Sequence, residues 1–157
     1  MNVELAARPP GQSTEKLADA LARLLADTYV LYLKTHGYHW NVTGRFFRSL
    51  HLMFEEQYLE LREAVDEIAE RIRALGPMAP GSYRELAGLA TVPDEAGVPE
   101  ALAMVRHLAE GHEIAARTAA DVGRIAEADR DLATADLATR RIAIHDKTAW
   151  MLRATLQ

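Results

Sequence analysis

The sequence predicts an all-α protein: a bundle of four helices with a short extra helix in the long crossover between the second and the third. Apolar residues recur at alternating three- and four-residue steps, the spacing of an amphipathic helix, and no run alternates as a strand would. Glycine and proline separate these runs. A chain of 157 residues suits one domain. We therefore expect a loose tail at residues 1–12 and a single bundle domain at residues 13–157.

Each helix has its own start and stop signals. The hydroxyl of Ser13 or Thr14 can cap the first helix, and Gly76 with Pro77 ends the second, which has the most regular apolar pattern. The crossover is rich in proline and glycine, and a break near Asp129 leads into the fourth helix. These signals place the helices at about residues 13–39, 50–75, 82–89, 98–122 and 132–152.

The long crossover between the second and third helices separates this arrangement from a plain up-and-down bundle. Such a connection spans the length of the bundle, and bundles of the ferritin-like topology have one of them. The helical spacing predicts four helices, and the length of the connection then favours a ferritin-like four-helix bundle with a short helix in the crossover.

The composition indicates the compartment and the kind of partner. The chain has no cysteine, which excludes disulfides and thiolate metal sites. Residues 1–12 do not have the pattern of a signal peptide, and no apolar stretch approaches the ~20 residues of a membrane span. We therefore expect a soluble, cytoplasmic protein without membrane contact. Its formal net charge of −5 suits a protein that attracts cations, and contact with nucleic acid would require a local basic patch.

Histidine and carboxylate side chains on the second helix form the candidate metal site. His51 and Glu55 are four residues apart, as are Asp66 and Glu70, so each pair projects from one side of the helix. At ~100° per residue all four fall on one stripe beside the apolar stripe. A solvated flank of the core would explain the same pattern, and the spacing alone does not decide between the two interpretations.

The length of the second helix separates the two pairs. His51 and Asp66 are fifteen residues apart, which is roughly 22 Å along a straight helix, so one ion cannot bind both within one chain. His39, just before the turn, can fold back beside His51. If all five residues act together, a second chain must supply half of the site, most simply by antiparallel pairing of the second helices across a two-fold axis.

The remaining histidines have a structural interpretation. His107, His112 and His145 lie on the third and fourth helices, where a surface or hydrogen-bonded core histidine is the commoner case. A di-iron centre inside one bundle requires Glu-x-x-His on two helices, and none of the six histidines has glutamate three residues before it. We therefore do not expect a metal centre in the bundle interior.

Several segments, in order and in spacing, resemble the ferroxidase signature of the Dps family of mini-ferritins. The signature segments are His39-Trp40-Asn41, His51 to Glu55 and Asp66 to Arg71. Pro80 to Tyr83 and Lys147 to Leu152 resemble the same family, and the resemblance extends over residues 13–157. The triplet alone is a weak signal, whereas the combined pattern is highly specific.

The resemblance implies an iron-storing ferroxidase. Family members are hollow dodecamers that oxidise Fe(II), preferentially with hydrogen peroxide, and mineralise the ferric product in the cavity. Consuming both reactants suppresses hydroxyl-radical formation and so protects DNA. The resemblance implies iron ligands at a two-fold interface, His39, His51 and Glu55 from one subunit and Asp66 and Glu70 from its partner. Imidazole and carboxylate together suit iron without thiolate.

Further residues receive roles from the resemblance. Trp40 would lie beside the site, either as a redox-active residue or as a packing residue. Asp131 and Asp136, with Asp129 as a weaker candidate, would line an acidic pore through which iron enters near the start of the fourth helix. Capping of that helix is an equally good role for any one of them.

The tail departs from that of the DNA-binding family members, which hold the DNA backbone with a lysine-rich extension. Residues 1–12 contain Glu4 and Arg8 and no lysine, so tight DNA binding is not expected, and association with the nucleoid is left open. Two alternatives to the ferroxidase remain. One is a DNA-compacting or structural cage whose metal site is idle or holds another ion, and the other is a helical interaction module without metal.

Overall fold

A computed structural model describes residues 11–157, apart from the side chain of Gln12; residues 1–10 of the predicted tail lie outside the described residues. Five helices and no strand make up this part of the chain, which confirms the all-α bundle with a short helix in its crossover. None of the described helices combines the length and the apolar composition of a membrane span. The helices are α1 (Gln12–Asn41), α2 (Phe47–Leu75), α3 (Tyr83–Leu89), α4 (Ala101–Ala128) and α5 (Leu132–Thr155).

The start of α1 differs from the prediction. Gly11, which has no side chain to cap with, is the N-cap residue, and its backbone is extended. Ser13 and Thr14 lie inside the first turn instead, and the backbone N–H of Thr14 donates to the carbonyl of Gly11. At its other end the helix continues to Asn41, beyond the predicted end near His39. The two extra residues place His39 inside the helix, beside α2.

The amphipathic pattern of α2 determines which of its faces is buried. The helix begins at Phe47, earlier than the apolar run predicts, because Phe46 and Phe47 are exposed and add no inward-facing position to the pattern. It ends as predicted at Gly76, whose φ of +118° is rare for other residues and whose N–H donates to the carbonyl of Arg73. The buried residues are Leu50, Phe54, Leu61, Ala64, Ile68 and Ile72.

The crossover holds the predicted short helix, α3. The Ser82 hydroxyl accepts from the N–H of Glu85, whose carboxylate accepts from the N–H of Ser82 in return. The next helix, α4, begins at Ala101 and not at Val98 as predicted. Val98 precedes Pro99, and the proline ring disfavours helical backbone in the residue before it.

A buried carboxylate fastens the crossover to the bundle. Asp27 of α1 is fully buried and accepts hydrogen bonds from the N–H groups of Thr91 and Val92 and from the hydroxyls of Thr91 and Thr118. These donors compensate a charge that would otherwise be costly to bury. Asp27 thereby holds the crossover against both α1 and α4.

The four long helices form two antiparallel hairpins, α1 with α2 and α4 with α5. The hairpins meet along α1 and α4, where Asp27 contacts Thr118 and Tyr38 contacts His107, so these helices are also antiparallel. Their approach is close, because a Cβ atom at Gly111 would lie 2.7 Å from the Cδ1 of Leu31. Two clusters of buried apolar side chains fill the interior, one towards each end of the bundle.

The second line of contact between the hairpins, along α2 and α5, has a polar layer outside the apolar core. The two backbones approach each other at few positions, and long charged side chains span the gap between them. Arginine–carboxylate pairs bridge it, and we call the six residues concerned the α2–α5 seam. The pairs are Glu60 with Arg141, Glu67 with Arg140, and Asp131 with Arg71.

Candidate metal site

The end of α1 and the start of α2 bring His39 and His51 together. Their rings are stacked, with centroids 3.8 Å apart. The Nδ1 of His39 lies 2.8 Å from the carbonyl oxygen of His51, and the Nδ1 of His51 lies 2.7 Å from the carbonyl oxygen of His39. His39 is buried and His51 is half-buried. Each residue therefore fixes the ring of the other through its own backbone.

These two hydrogen bonds decide which ring nitrogens are free. A carbonyl oxygen can only accept, so the Nδ1 of each ring must carry the proton. In the neutral form of each ring, Nε2 then has a lone pair and no proton. Neutral imidazole is the form that binds metals, and a backbone carbonyl on the other ring nitrogen commonly orients such a ligand. The pair therefore offers two preoriented nitrogen ligands.

The carboxylates of the candidate site are distributed along α2. Glu55, one turn after His51, is half-buried, whereas Asp66 and Glu70 are exposed further along the helix. The helix is continuous over 29 residues. His51 and Asp66 are therefore separated by roughly 22 Å along it, as expected from the sequence. Among residues 11–157 of one chain, no three His, Asp or Glu side chains converge closely enough to hold a metal ion. One chain thus pairs the two histidines, with Glu55 nearby, and leaves the other two carboxylates apart.

Two exposed leucines lie on the same stripe of α2 as the candidate ligands. Leu52 is 44% exposed and Leu59 is 37% exposed. At 100° per residue both lie within about 40° of Asp66 around the helix. Exposed leucines two turns apart on the same side of a helix could contribute to a contact with another chain. An apolar residue outside the core stripe is a signal that the sequence contains, although reasoning from the ligand residues alone missed it.

His36 and Tyr58 lie beside the histidine pair, and sequence reasoning assigned neither of them to the site. The ring of His36 stacks on Tyr58 with centroids 4.1 Å apart and lies 4.2 Å from the ring of Trp40. Tyr58 meets His39 edge-on at 5.2 Å. Trp40 is 60% exposed. Aromatic rings therefore connect Trp40, through His36, to the neighbourhood of the candidate ligands.

The two pore candidates have partners within the chain. Asp131 caps α5 by accepting from the N–H of Thr134, and it pairs with Arg71. Partial burial alone would raise the pKa of Asp131, but the hydrogen bonds from Thr134 and Arg71 outweigh it and hold the pKa below its ordinary value. Asp136 is exposed and pairs with Arg140. Asp131 therefore has the capping role that the sequence left open, and Asp136 remains accessible.

The structural interpretation of His112 and His145 agrees with their positions. Both are buried in the bundle interior, and their Nδ1 atoms are 2.9 Å apart. Sequence reasoning missed their neighbour Arg141, which is also buried and lies beside His145. An arginine in a helical sequence gives no signal of burial, because arginine is usually exposed.

Known proteins resemble this chain in sequence. The ferritin-like domain family matches residues 18–157. An uncharacterized low temperature-induced protein of Nostoc sp. (strain PCC 7120) is 44% identical over 135 residues, which cover 85% of this chain and 75% of that protein. DNA protection during starvation protein 1 of Deinococcus radiodurans is 37% identical over 144 residues, which cover 90% of this chain and 69% of that protein.

A solved structure extends the likeness to the whole described fold. The Dps protein from Vibrio cholerae O1, described as a member of a broad superfamily of ferritin-like diiron-carboxylate proteins, has a TM-score of 0.91 and 32% identity, with 100% of each chain covered. Sequence and structure thus agree over the bundle from α1 to α5. The chain belongs to the Dps family of ferritin-like proteins.

Proposed function

We propose that this protein is a ferroxidase that oxidises Fe(II), preferably with hydrogen peroxide, and stores the ferric product. One observation carries the proposal: the reciprocal hydrogen bonds of His39 and His51 leave a lone pair on the Nε2 of each neutral ring, and Glu55 lies one helical turn after His51. Imidazole and carboxylate ligands suit Fe(II), and further carboxylates favour the ferric product. Iron is the substrate and the cargo of this protein.

The remaining two carboxylates come from a second chain in this proposal. The midpoint between His51 and Glu70 falls between positions 60 and 61 of α2, and the midpoint between Glu55 and Asp66 falls at the same place. A two-fold axis there would pair two α2 helices antiparallel, with His51 opposite the partner's Glu70 and Glu55 opposite the partner's Asp66. The coincidence of the two midpoints supports a single axis that completes both ligand pairs.

The same axis accounts for the exposed leucines. Leu59 lies next to the axis and Leu52 two turns away, so the partner's α2 would cover both. Burial of this apolar surface would stabilise the contact by about 25 cal/mol per Å². We propose a hollow dodecamer built from such dimers, as the family resemblance implies, because a ferric mineral requires an enclosed space.

Supporting residues follow from the same proposal. Trp40, joined to the site through His36, would act as a redox-active or a packing residue. Asp136, exposed in the first turns of α5, and Asp131, which also caps that helix, are our candidates for an iron-entry pore. The cytoplasm, a reducing compartment that supplies Fe(II), is the location we propose.

The test adds Fe(II) anaerobically and then peroxide, and follows the ferric absorbance. We expect rapid oxidation by the natural protein and at least a tenfold loss of rate in His39→Ala and in Asp66→Ala, because each removes one ligand. The two ligands belong to different chains in a shared site. Reassembling an equal mixture of the two inactive variants should therefore restore about a quarter of the sites.

Asp121→Ala is the matched control, because it removes an exposed carboxylate from α4 and should leave the rate unchanged. Absence of any recovery in the mixed assembly, with assembly confirmed by size, would contradict the shared site. Full activity in both single variants would contradict the ligand assignment itself.

The second candidate function is a DNA-compacting or structural cage whose metal site is idle or holds another ion. We consider this function because the Deinococcus relative is named a DNA protection protein. The net charge of −5 and the lack of lysine in residues 1–12 oppose direct DNA binding. We propose protection of DNA through iron and peroxide chemistry. An assembled natural protein that failed to oxidise Fe(II) in the same assay would favour the second candidate.

A further inference from the structure

A chain of buried polar side chains crosses the bundle interior behind the α2–α5 seam. Glu60 pairs with both terminal nitrogens of Arg141, and the Nη2 of Arg141 lies 3.3 Å from the Nε2 of His145. The Nδ1 of His145 lies 2.9 Å from the Nδ1 of His112. Arg141 is 2% exposed, His145 0% and His112 1%. This network therefore lies in the core, where polar groups need partners.

The direction of each hydrogen bond follows from Arg141, which can only donate. The Nε2 of His145 must accept from it, so the proton of His145 lies on Nδ1. That proton is donated to the Nδ1 of His112, whose own proton must lie on Nε2. The Nε2 of His112 has no partner among the residues that the structure describes. The network thus accommodates two neutral imidazoles and provides no acceptor for an additional proton.

The groups that face the pair from the neighbouring helices offer a proton no compensation. The cation Arg141 is next to His145, and the carboxylate of Glu60 on α2 is directed at Arg141. From α1 the neighbour at this level is apolar, because Leu31 packs on Gly111, the residue before His112. On α4, Glu113 follows His112 in the sequence but pairs with Arg153 at the surface.

Burial is the main cause of the low proton affinity of the pair, and the charge of Arg141 adds to it. Burial and Arg141 lower the pKa of His112 to about 3, and burial, His112 and Arg141 lower that of His145 well below 6.5. An imidazole that water reaches regains a pKa of about 6.5. An open form therefore binds protons that the closed form excludes. Above pH ~6.5 the pair is neutral in both forms and the closed form keeps its full stability. Below that pH, each further pH unit shifts the equilibrium towards the open form by up to about tenfold for each imidazole.

The contacts between the hairpins determine where the bundle would part. Along α1 and α4 the helices approach closely at Gly111, and Asp27 fastens the contact through Thr118. Along α2 and α5 the backbones approach each other at few positions; both helices contribute apolar side chains to the shared core, and outside that core the charged side chains of the seam bridge the gap. The network of His112 and His145 lies directly behind the Glu60–Arg141 pair of that seam.

We propose that the α2–α5 seam is an acid-sensitive opening of the subunit, with His112 and His145 as its proton sensors. At neutral pH the uncharged pair and Arg141 keep the seam closed. In mild acid the pair takes up protons, and α2 parts from α5 while α1 and α4 stay packed. Because α2 carries most of the candidate iron ligands, opening also loosens the iron site; this last consequence alone rests on the proposed function.

The natural chain has no cysteine, so one introduced thiol reports on one position without measuring iron. Ala64 lies four residues after Glu60, on the seam side of α2, and is 2% exposed. Ala20 lies seven residues before Asp27, on the side of α1 that contacts α4, and is 1% exposed. The probe is a pyridyl disulfide, which still reacts with thiols in acid. In the assembled protein we expect Ala64→Cys to react at least tenfold faster at pH 5 than at pH 7.5, normalised to free cysteine, and Ala20→Cys to stay protected.

The second arm replaces both imidazoles with amides that do not titrate, His112→Asn with His145→Gln, in the Ala64→Cys protein. We expect the midpoint of thiol exposure to move at least one pH unit lower. An unchanged midpoint would overturn the sensor role. Should this variant not assemble, the two single thiols decide: equal exposure of Ala64→Cys and Ala20→Cys at every pH would mean global unfolding and would overturn the proposal.

A third arm separates the imidazoles from the carboxylates of the seam. Free carboxyl groups titrate near pH 4, about two units below free imidazole. Glu67→Gln removes one seam carboxylate and should leave the midpoint of Ala64→Cys exposure above pH 5. A midpoint near pH 4 that Glu67→Gln moves would assign the opening to the ion pairs and reject the histidines as its sensors.

Discussion

At the scale of single residues, the histidines divide by what their Nδ1 atoms contact. In His39 and His51 the Nδ1 donates to a backbone carbonyl, which leaves a lone pair on Nε2 for a metal. In His112 and His145 the Nδ1 atoms contact each other next to Arg141, which leaves no lone pair free for a cation. The same side chain therefore suits metal binding near one end of the bundle and excludes a cation in its interior.

Asp27→Ala should destabilise the assembled protein strongly. The substitution leaves the N–H groups of Thr91 and Val92 and the hydroxyl of Thr118 without their acceptor, and a hydrogen bond to a buried charge is worth about 1.5–3 kcal/mol. We expect the free energy of unfolding to fall by about 3 kcal/mol or more. In calorimetry at one protein concentration, the Tm should fall by at least ~6 °C.

Asp121→Ala serves as the control for this measurement, because Asp121 is exposed and forms only a surface ion pair with Arg124. Such pairs contribute little, so we expect its Tm to change by no more than ~2 °C. Equal losses in the two variants would mean that the hydrogen bonds of Asp27 do not hold the crossover.

Site residues that lie on one helix could be predicted from the sequence, whereas site residues that only helix packing brings together could not. The four-residue spacing of His51 with Glu55 and of Asp66 with Glu70 is a property of the helix itself. Tyr58, by contrast, reaches His39 only because α1 packs on α2 in one particular register. No periodicity within either helix contains that register.

At the scale of elements, the predicted helix ends were most accurate where a single residue's backbone preference determines them. Gly76 ends α2 as predicted, because its positive φ is a conformation that glycine adopts readily. The cap of α3 at Ser82 is likewise local. The predicted start of α4 at Val98 was wrong, because Pro99 restricts its backbone. The predicted caps of α1 were wrong because the helix begins at a residue without a side chain, Gly11, and places Ser13 and its neighbour inside the first turn.

Ser82→Ala should loosen α3 without loosening the bundle. The substitution removes the acceptor of the Glu85 N–H, and loss of such a cap destabilises a helix roughly fivefold. We expect amide hydrogen exchange in residues 83–89 to become about fivefold faster, with exchange in α1 and α4 unchanged. The hydrogen bond from the Ser82 hydroxyl is the largest cause of the lowered pKa of Glu85, so the contribution of this pair is present above the ordinary carboxyl pKa and is lost in stronger acid.

Ser49→Ala is the control for the cap, because the Ser49 hydroxyl donates to the carbonyl of Phe46, the residue before α2, and accepts from no N–H at a helix start. It should leave exchange in residues 83–89 unchanged. A rise in exchange that spreads evenly over all helices of Ser82→Ala would show that Ser82 stabilises the bundle as a whole and not α3.

At the scale of the whole molecule, α2 faces three different environments. One side is buried in the apolar core, a second carries the charges of the α2–α5 seam, and the outer stripe carries the candidate ligands with Leu52 and Leu59. The buried side could be predicted, because its period is that of the helix. The seam could not, because pairs such as Glu67 with Arg140 depend on how two hairpins pack and not on any local pattern.

The proposed two-fold axis predicts that the outer stripes of two α2 helices lie against each other. Leu59 lies between one and two residues from the point where the axis would cross α2, so its two copies should be about 4–5 Å apart along the helix direction. Leu59→Cys gives the chain its only thiol. We expect mild oxidation of the assembled protein to join two chains, visible as a dimer on a denaturing gel, since bridged Cβ atoms lie about 4 Å apart. A short bis-maleimide detects the same proximity without disulfide geometry.

Arg106→Cys, an exposed position on α4, is the matched control and should give no such dimer. The outcome can be separated from that of the ferroxidase assay, because Leu59 is not a proposed ligand. A crosslink without iron oxidation would keep the axis and reject the ligand set. Iron oxidation without a crosslink, by either reagent, would keep the chemistry and place the partner's carboxylates elsewhere. Only both results together would require that α2 meet α2 at this point and that each chain complete the site of the other.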